Sequence, residues 1–232
     1  MKNPRLTPTP NQTFELEGFG PCDFAAVLDR SCRLQAQNRM QEACDERFAA
    51  VQRIIASLPD DEEIILEFNH RNSRAALQLL LASAEDHFLA SDFEMAAALT
   101  EQLLELDPED RLEATTLTAF CYVALGEYEL LDEILPDIAD SQAEKPLLML
   151  WAAFRRTASL PRAELDLLRE RFPAAAAEFA RDDHPADETY LAGIDSERPS
   201  REVQARHLWL RTEHLWQQHS DFADALRIAL RS

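Results

Sequence analysis

Residues 77–110 read LQLLLASAEDHFLASDFEMAAALTEQLLELDPED, and this 34-residue stretch decides the fold class. Leu77, Leu80, Ala84 and Phe88 recur at three- and four-residue spacing, as do Ala96, Leu99, Leu103 and Leu106 after a short polar turn at Ser91-Asp92. That is the period of two amphipathic helices, each with one apolar face, joined closely enough to pack antiparallel. Ala96 offers a small side chain where the helices touch, Phe93 fills the gap at the turn, and Pro108 stops the second helix.

The same period runs outward from Phe24 almost to the end of the 232 residues, and Pro59, Pro108, Pro136, Pro146, Pro161 and Pro173 cut it into helix-length pieces. The spacing predicts helices over 24–37, 39–57, 62–69, 73–90, 92–106, 110–125, 127–138, 143–157, 161–171, 173–181, 200–218 and 221–230. Residues 1–21, with Pro4, Pro8, Pro10 and Pro21, read as an extended arm. Residues 182–199 read as an acidic loop with at most one helical turn. The chain has four glycines and none between residues 21 and 125. Phosphate-cradling glycine loops and dinucleotide-binding turns are therefore excluded, and hairpin-rich all-β folds lose their support.

The turn recurs. Gly126-Glu127-Tyr128 with Leu131, and Ser220-Asp221-Phe222 with Ala225, repeat Ser91-Asp92-Phe93 with Ala96 in phase with the helices. On these residues the chain resembles tetratricopeptide-repeat (TPR) proteins, with Leu80 and Ala84 where the first helix usually carries Trp and Gly. A longer resemblance covers roughly residues 90–230. Pro108-Glu109-Asp110-Arg111, Phe172-Pro173, Trp216 and Ala225-Leu226-Arg227 are similar to features of largely uncharacterised bacterial TPR-like proteins. Some of those carry a SEC-C zinc motif, and a relative occurs among eukaryotic tumour-suppressor-type proteins; the cysteine-rich segment is missing here. The resemblance implies an all-α fold of antiparallel helix pairs stacked as a short right-handed solenoid. The organisation expected is an arm at 1–21, a helical capping region at 22–72, a repeat core at 73–181, the acidic loop at 182–199 and a C-terminal helix pair at 200–232.

The formal charge is −20, and residues 41–149 hold six basic against twenty-five acidic side chains. Such a surface repels phosphate backbones, which argues against nucleic acid. It either attracts a basic partner or simply solvates the chain. No stretch is apolar for long enough to span a membrane, and the N-terminus has no signal-like apolar core, so a cytoplasmic address is expected. Cys22, Cys32, Cys44 and Cys121 lack metal or redox spacing and read as reduced thiols.

Catalytic patterns are sparse. Glu67 and His70 form one E-x-x-H pair with Glu63 a turn earlier, but a di-metal bundle needs a second such pair and none occurs. His207, His214 and His219 share a helix without the i, i+4 spacing of a zinc clamp. No nucleophile elbow or Cys–His pair appears. The expectation is a non-enzyme without cofactor or metal. The carboxylate-clamp mode of TPR domains needs Lys, Arg or Asn where this chain has Leu81, Glu85, Leu112 and Thr116. A basic or apolar protein segment suits the concave face expected over 77–90, 111–125 and 143–157, with Glu85, His87 and Glu113 as contacts. Trp209 and Trp216 read either as core or as an exposed stripe for a peptide or a second copy. The alternatives are a self-associating structural protein, a possible homodimer through that stripe, and a metal-dependent enzyme using Glu63, Glu67 and His70 or the three histidines.

Overall fold

Arg5–Pro8 (β1) and Phe14–Glu17 (β2) pair antiparallel, Leu6 opposite Leu16 and Pro8 opposite Phe14, in a computed structural model that describes residues 4–59 and 62–232. The expected arm is thus a β-hairpin. Its turn is closed by Thr9 N donating to Thr13 O at 2.8 Å, with Gln12 in the left-handed region at φ 61°. Phe14 N donates to Ile65 O and Glu67 N donates to Phe14 O, both at 2.8 Å, which sets the outer edge of β2 against residues 65–67. Phe14 therefore bonds away from β1, and Pro8, opposite it in a non-hydrogen-bonded pair, turns its nitrogen to the outer edge, where no donor is required; this is how an edge strand tolerates proline.

Those bonds also explain why 62–69 is not a helix. Leu66 N donates to Leu106 O at 2.9 Å, and Phe14 bridges Leu66 in parallel. Ile64 and Leu66, 6% and 1% exposed, bury alternate side chains as a strand does. Asp60 and Asp61, just before that stretch, lie outside the described residues.

Twelve α-helices follow the hairpin among the described residues: α1 Phe24–Ala36, α2 Met40–Ile55, α3 Arg71–Leu89, α4 Phe93–Leu106, α5 Ala114–Leu125, α6 Tyr128–Ile134, α7 Glu144–Thr157, α8 Arg162–Arg171, α9 Pro173–Phe179, α10 Glu188–Ile194, α11 Arg201–Gln218 and α12 Ser220–Arg231. The chain is all-α apart from the hairpin. Side chains start these helices as the sequence pattern requires. Asp23 Oδ1 accepts from Ala26 N at 3.1 Å, Asp92 Oδ1 from Met95 N at 3.3 Å and Ser200 Oγ from Val203 N at 3.3 Å. Helix α10 gives the 182–199 segment two turns where at most one was expected, because Asp187 Oδ1 caps it at Tyr190 N, 2.9 Å. Gly126 sits at φ +82° in the α5–α6 turn, a conformation that costs a Cβ-bearing residue. No helix among the described residues is long and apolar enough to cross a membrane.

The chain divides into two compact units, Met1–Cys121 and Tyr122–Ser232, with the division inside α5 and so inside the expected repeat core. In the first unit α3 and α4 form the expected hairpin. Ala84 and Ala96 are fully buried, and Phe93 meets Phe88 edge-on at 5.9 Å. Arg47 of α2, 6% exposed, pairs with Asp86 of α3 at 2.8 Å and also binds Gln35 and Ser31. Asn72 ties the hairpin down: its Oδ1 accepts from Phe24 N at 2.7 Å, and its Nδ2 donates to Leu16 O at 2.8 Å and Cys22 O at 3.2 Å. Asn72→Ala leaves these backbone groups unpaired and is expected to cost about 2–4 kcal/mol, at about 1–3 kcal/mol for each buried group left unmet. Urea unfolding would read it; a loss under 1 kcal/mol would refute the anchoring role.

In the second unit α7, α8, α9, α11 and α12 enclose an aromatic core. Trp151, fully buried, lies 5.2 Å from Trp216 and 6.2 Å from Phe222 between ring centroids, and Phe179 meets Trp216 edge-on at 5.6 Å.

Candidate functional site

The residues singled out in the sequence are spread across both units. His87 Nδ1 lies 3.0 Å from Asp92 Oδ2, and its ring packs on Phe48 at 5.5 Å, so it braces the α3–α4 turn. Glu85 is half-buried on α3, one residue before the ion-paired Asp86. Burial first and the Asp86 charge second push the Cys44 thiol above its ordinary range. Glu113 is exposed, in the left-handed region at φ 57°, just before α5. It follows a self-contained loop in which Arg111 pairs with Asp107 and with Glu109 at 2.7 Å, its guanidinium 5.3 Å over Phe68.

Trp216 is a core residue, 3% exposed. Trp209 is covered on one face by the His184 ring, stacked at 3.6 Å and 20°, and meets Phe179 edge-on at 4.8 Å. Trp216 therefore packs into the core of the second unit, and Trp209 is half-buried beside it. The E-x-x-H residues serve the backbone. Glu67 accepts from Thr13 Oγ1 at 2.9 Å and Asn69 N at 3.1 Å, while His70 Nδ1 accepts from Ser73 N at 3.4 Å to cap α3. On α11, His207 Nδ1 bonds Tyr190 Oη at 2.9 Å, and His219, between α11 and α12, packs on Trp151 at 5.2 Å. No three His, Cys, Asp or Glu side chains among the described residues are grouped to hold a metal.

Two of the clefts among the described residues differ sharply in chemistry. The one in the second unit, about 670 Å³, lies between α9, α10 and α11. Its floor is a buried charge cluster that sequence reasoning missed. Glu178, 6% exposed, takes both Nε and Nη2 of Arg206, the latter at 3.1 Å, and bonds His184 Nδ1 at 2.7 Å. Burial raises the Glu178 carboxyl, but the hydrogen bonds from Arg206 and His184 outweigh it and hold the group below its ordinary range. Arg206 Nη1 also donates to Pro185 O at 2.5 Å, which ties the loop before α10 to α11. The polar atoms here are spent on one another.

A cleft in the first unit, at the end of α2, is differently built. About 500 Å³ in volume, it has an apolar floor of Ile55, Leu58, Ile64, Leu106 and Pro108, and Glu62, Glu63 and Glu105 stand at its rim with Gln102. All three carboxylates are exposed, and no Lys, Arg or His lines the cleft among the described residues. Ile55, 43% exposed at the end of α2, leaves a large apolar side chain accessible. The sequence holds the parts in 55–64 and 102–108, but only the strand-like course of 64–67, pinned to Leu106, brings them together. Compared with family models, with curated proteins and with solved structures, the chain gives no match.

Proposed function

We propose that the chain is a non-catalytic protein-interaction module built of TPR-like helix hairpins, which receives a basic or apolar segment of a partner protein in the acid-rimmed cleft of the first unit. The observation that carries this reading is the combination of an accessible apolar floor with three rim carboxylates and no cation among the lining residues. Apolar contact supplies affinity, and complementary charge supplies orientation and encounter rate. The −19 balance of residues 41–149 acts in the same direction, drawing cations toward this part of the chain.

A peptide array tests it. Spots combining Lys or Arg with apolar residues are expected to retain the protein, while acidic and purely polar spots do not. Glu62→Lys/Glu63→Lys/Glu105→Lys is expected to weaken retention at least about tenfold, the scale of one well-placed charge contact. Raising salt is expected to weaken the wild type as well, because rim charges are screened. Retention indifferent to both the triple reversal and salt would sink the reading.

A further inference from the structure

The loop between α7 and α8 carries the chemistry that complements the first-unit cleft. Residues 145–163 are the longest run of the chain without Asp or Glu, and they hold Lys145, Arg155, Arg156 and Arg162. Residues 155–159 and Arg162 are exposed, and Leu160 and Pro161 between them are half-buried. Arg156 is spent within its own unit, where Nη2 donates to Asp132 Oδ2 at 2.8 Å and to Tyr128 O at 3.0 Å. Arg155 Nη1 lies 3.2 Å from His219 Nδ1, an imidazole rather than a carboxylate. The Arg162 side chain is 93% exposed, with Nε 3.6 Å from Asp166 Oδ2. It also occupies the first position of α8, where the helix dipole disfavours a cation. The loop is ordered in advance: Ala158 adopts φ 53°, its amide donates to Phe154 O at 2.7 Å, and Thr157 Oγ1 bonds Ser159 Oγ at 2.8 Å. A loop already held in one course loses less freedom on docking.

We infer that the acid-rimmed cleft of one protomer takes the 155–162 loop of a second copy of this chain; this rests on the interaction-module reading and names its partner. Leu160 and Pro161 would lie on the apolar floor at Ile55, Leu58 and Pro108, while Arg155 and Arg162 reach Glu62, Glu63 and Glu105. The charge of −20 makes two copies repel wherever their surfaces are not locally complementary, which favours an acid-free loop as the point of contact. The shorter acid-free run at 30–41 is less suited, because Arg30 and Arg39 are paired with Glu46 and Glu42. Cleft and loop are different patches, so the contact is heterologous and successive copies add head to tail. One short loop makes a small interface, and the association is accordingly weak and reversible.

Sedimentation velocity of the full chain from about 1 µM to about 1 mM tests this, the span over which a weak contact fills. Salt near about 0.15 M screens the long-range repulsion beyond about 8 Å while close pairs persist. The average mass is expected to rise with concentration. Glu62→Lys/Glu63→Lys/Glu105→Lys and Arg155→Gln/Arg162→Gln are each expected to weaken self-association at least about tenfold. Mixed in equal amounts, the two variants are expected to form a heterodimer and grow no further, because the first keeps only its loop and the second only its cleft. The end-blocked peptide Arg-Arg-Thr-Ala-Ser-Leu-Pro-Arg, residues 155–162, should disperse the wild-type oligomers. The same peptide with Gln at positions 155 and 162 should not. Arg162→Gln alone, at a site 93% exposed, should weaken association in the same direction with the fold intact. A chain that stays monomeric while cationic-apolar array spots are retained would overturn the second copy as occupant and leave the interaction module standing. Association that survives both sets of substitutions, or variants that fail to complement each other, would also overturn it, with the array deciding the module. Failure of both self-association and the array would remove the reading beneath it.

Discussion

Trp151→Ala is expected to destabilise the protein by about 3–5 kcal/mol, the range for removing a large buried aromatic. Trp151 is the largest fully buried side chain described, and Trp216, Phe222 and His219 all pack directly on its ring. Its deletion leaves a cavity walled by rigid aromatic side chains on α11 and α12, which cannot collapse by simple rotamer changes. Trp151→Phe keeps a ring in the same place and should lose far less. Urea unfolding followed by far-ultraviolet circular dichroism compares the two, and an alanine variant within 1 kcal/mol of the wild type would show that this cluster is not the centre of the unit's core. The same pair of variants bears on the function proposed, because a module that only presents a cleft on Met1–Cys121 should keep its peptide affinity in Trp151→Phe.

Glu178→Gln carries the second large effect. The substitution leaves Arg206 buried at 7% exposure without its carboxylate and puts an amide NH2, a donor, where one of the two acceptor oxygens shared by Arg206 and His184 stood. Stranding one partner of a buried pair costs about 3–5 kcal/mol near neutral pH. The folded protein holds the Glu178 carboxyl below its ordinary range, so its contribution is present above that range and is lost as pH falls through the lowered value. Wild-type stability should therefore fall on acidification below about pH 4, around the ordinary glutamate value, and Glu178→Gln should show a shallower acid limb. Denaturant midpoints across pH give both readings. A variant as stable as wild type at pH 7, or one with an unchanged acid limb, would refute the assignment. Replacing both partners, Glu178→Leu with Arg206→Met, should cost less than Glu178→Gln, since no charge is left stranded.

Much of the architecture was legible because it rests on local rules. The 3.6-residue period of 77–110 marked α3 and α4, and Ser91-Asp92-Phe93 marked the turn that Asp92 caps. Phe172-Pro173 marked the start of α9, where Pro173 occupies the first helical position. Two readings failed for the same reason. Residues 4–17 and 62–69 are short segments whose backbone bonds go to distant partners: Phe14 to Ile65 and Glu67, Leu16 to Ser73 and Asn72, Leu66 to Leu106. A run such as Glu62-Glu63-Ile64-Ile65-Leu66-Glu67 fits a helical turn or a strand equally well, and only the partner decides.

The sequence by itself determined the helical class, the placing of most helices, the acidic balance and the lack of glycine-dependent nucleotide sites. Each of these follows from composition or from contacts within one or two helical turns. Tertiary structure decided which charges are spent and which remain. It buried Arg47 against Asp86 and Glu178 against Arg206 and His184, folded Trp216 into the core, and left Glu62, Glu63 and Glu105 exposed around an apolar floor. Those outcomes depend on side chains tens of residues apart meeting in a low-dielectric interior, where pairing and burial are settled together by packing geometry that no local pattern encodes.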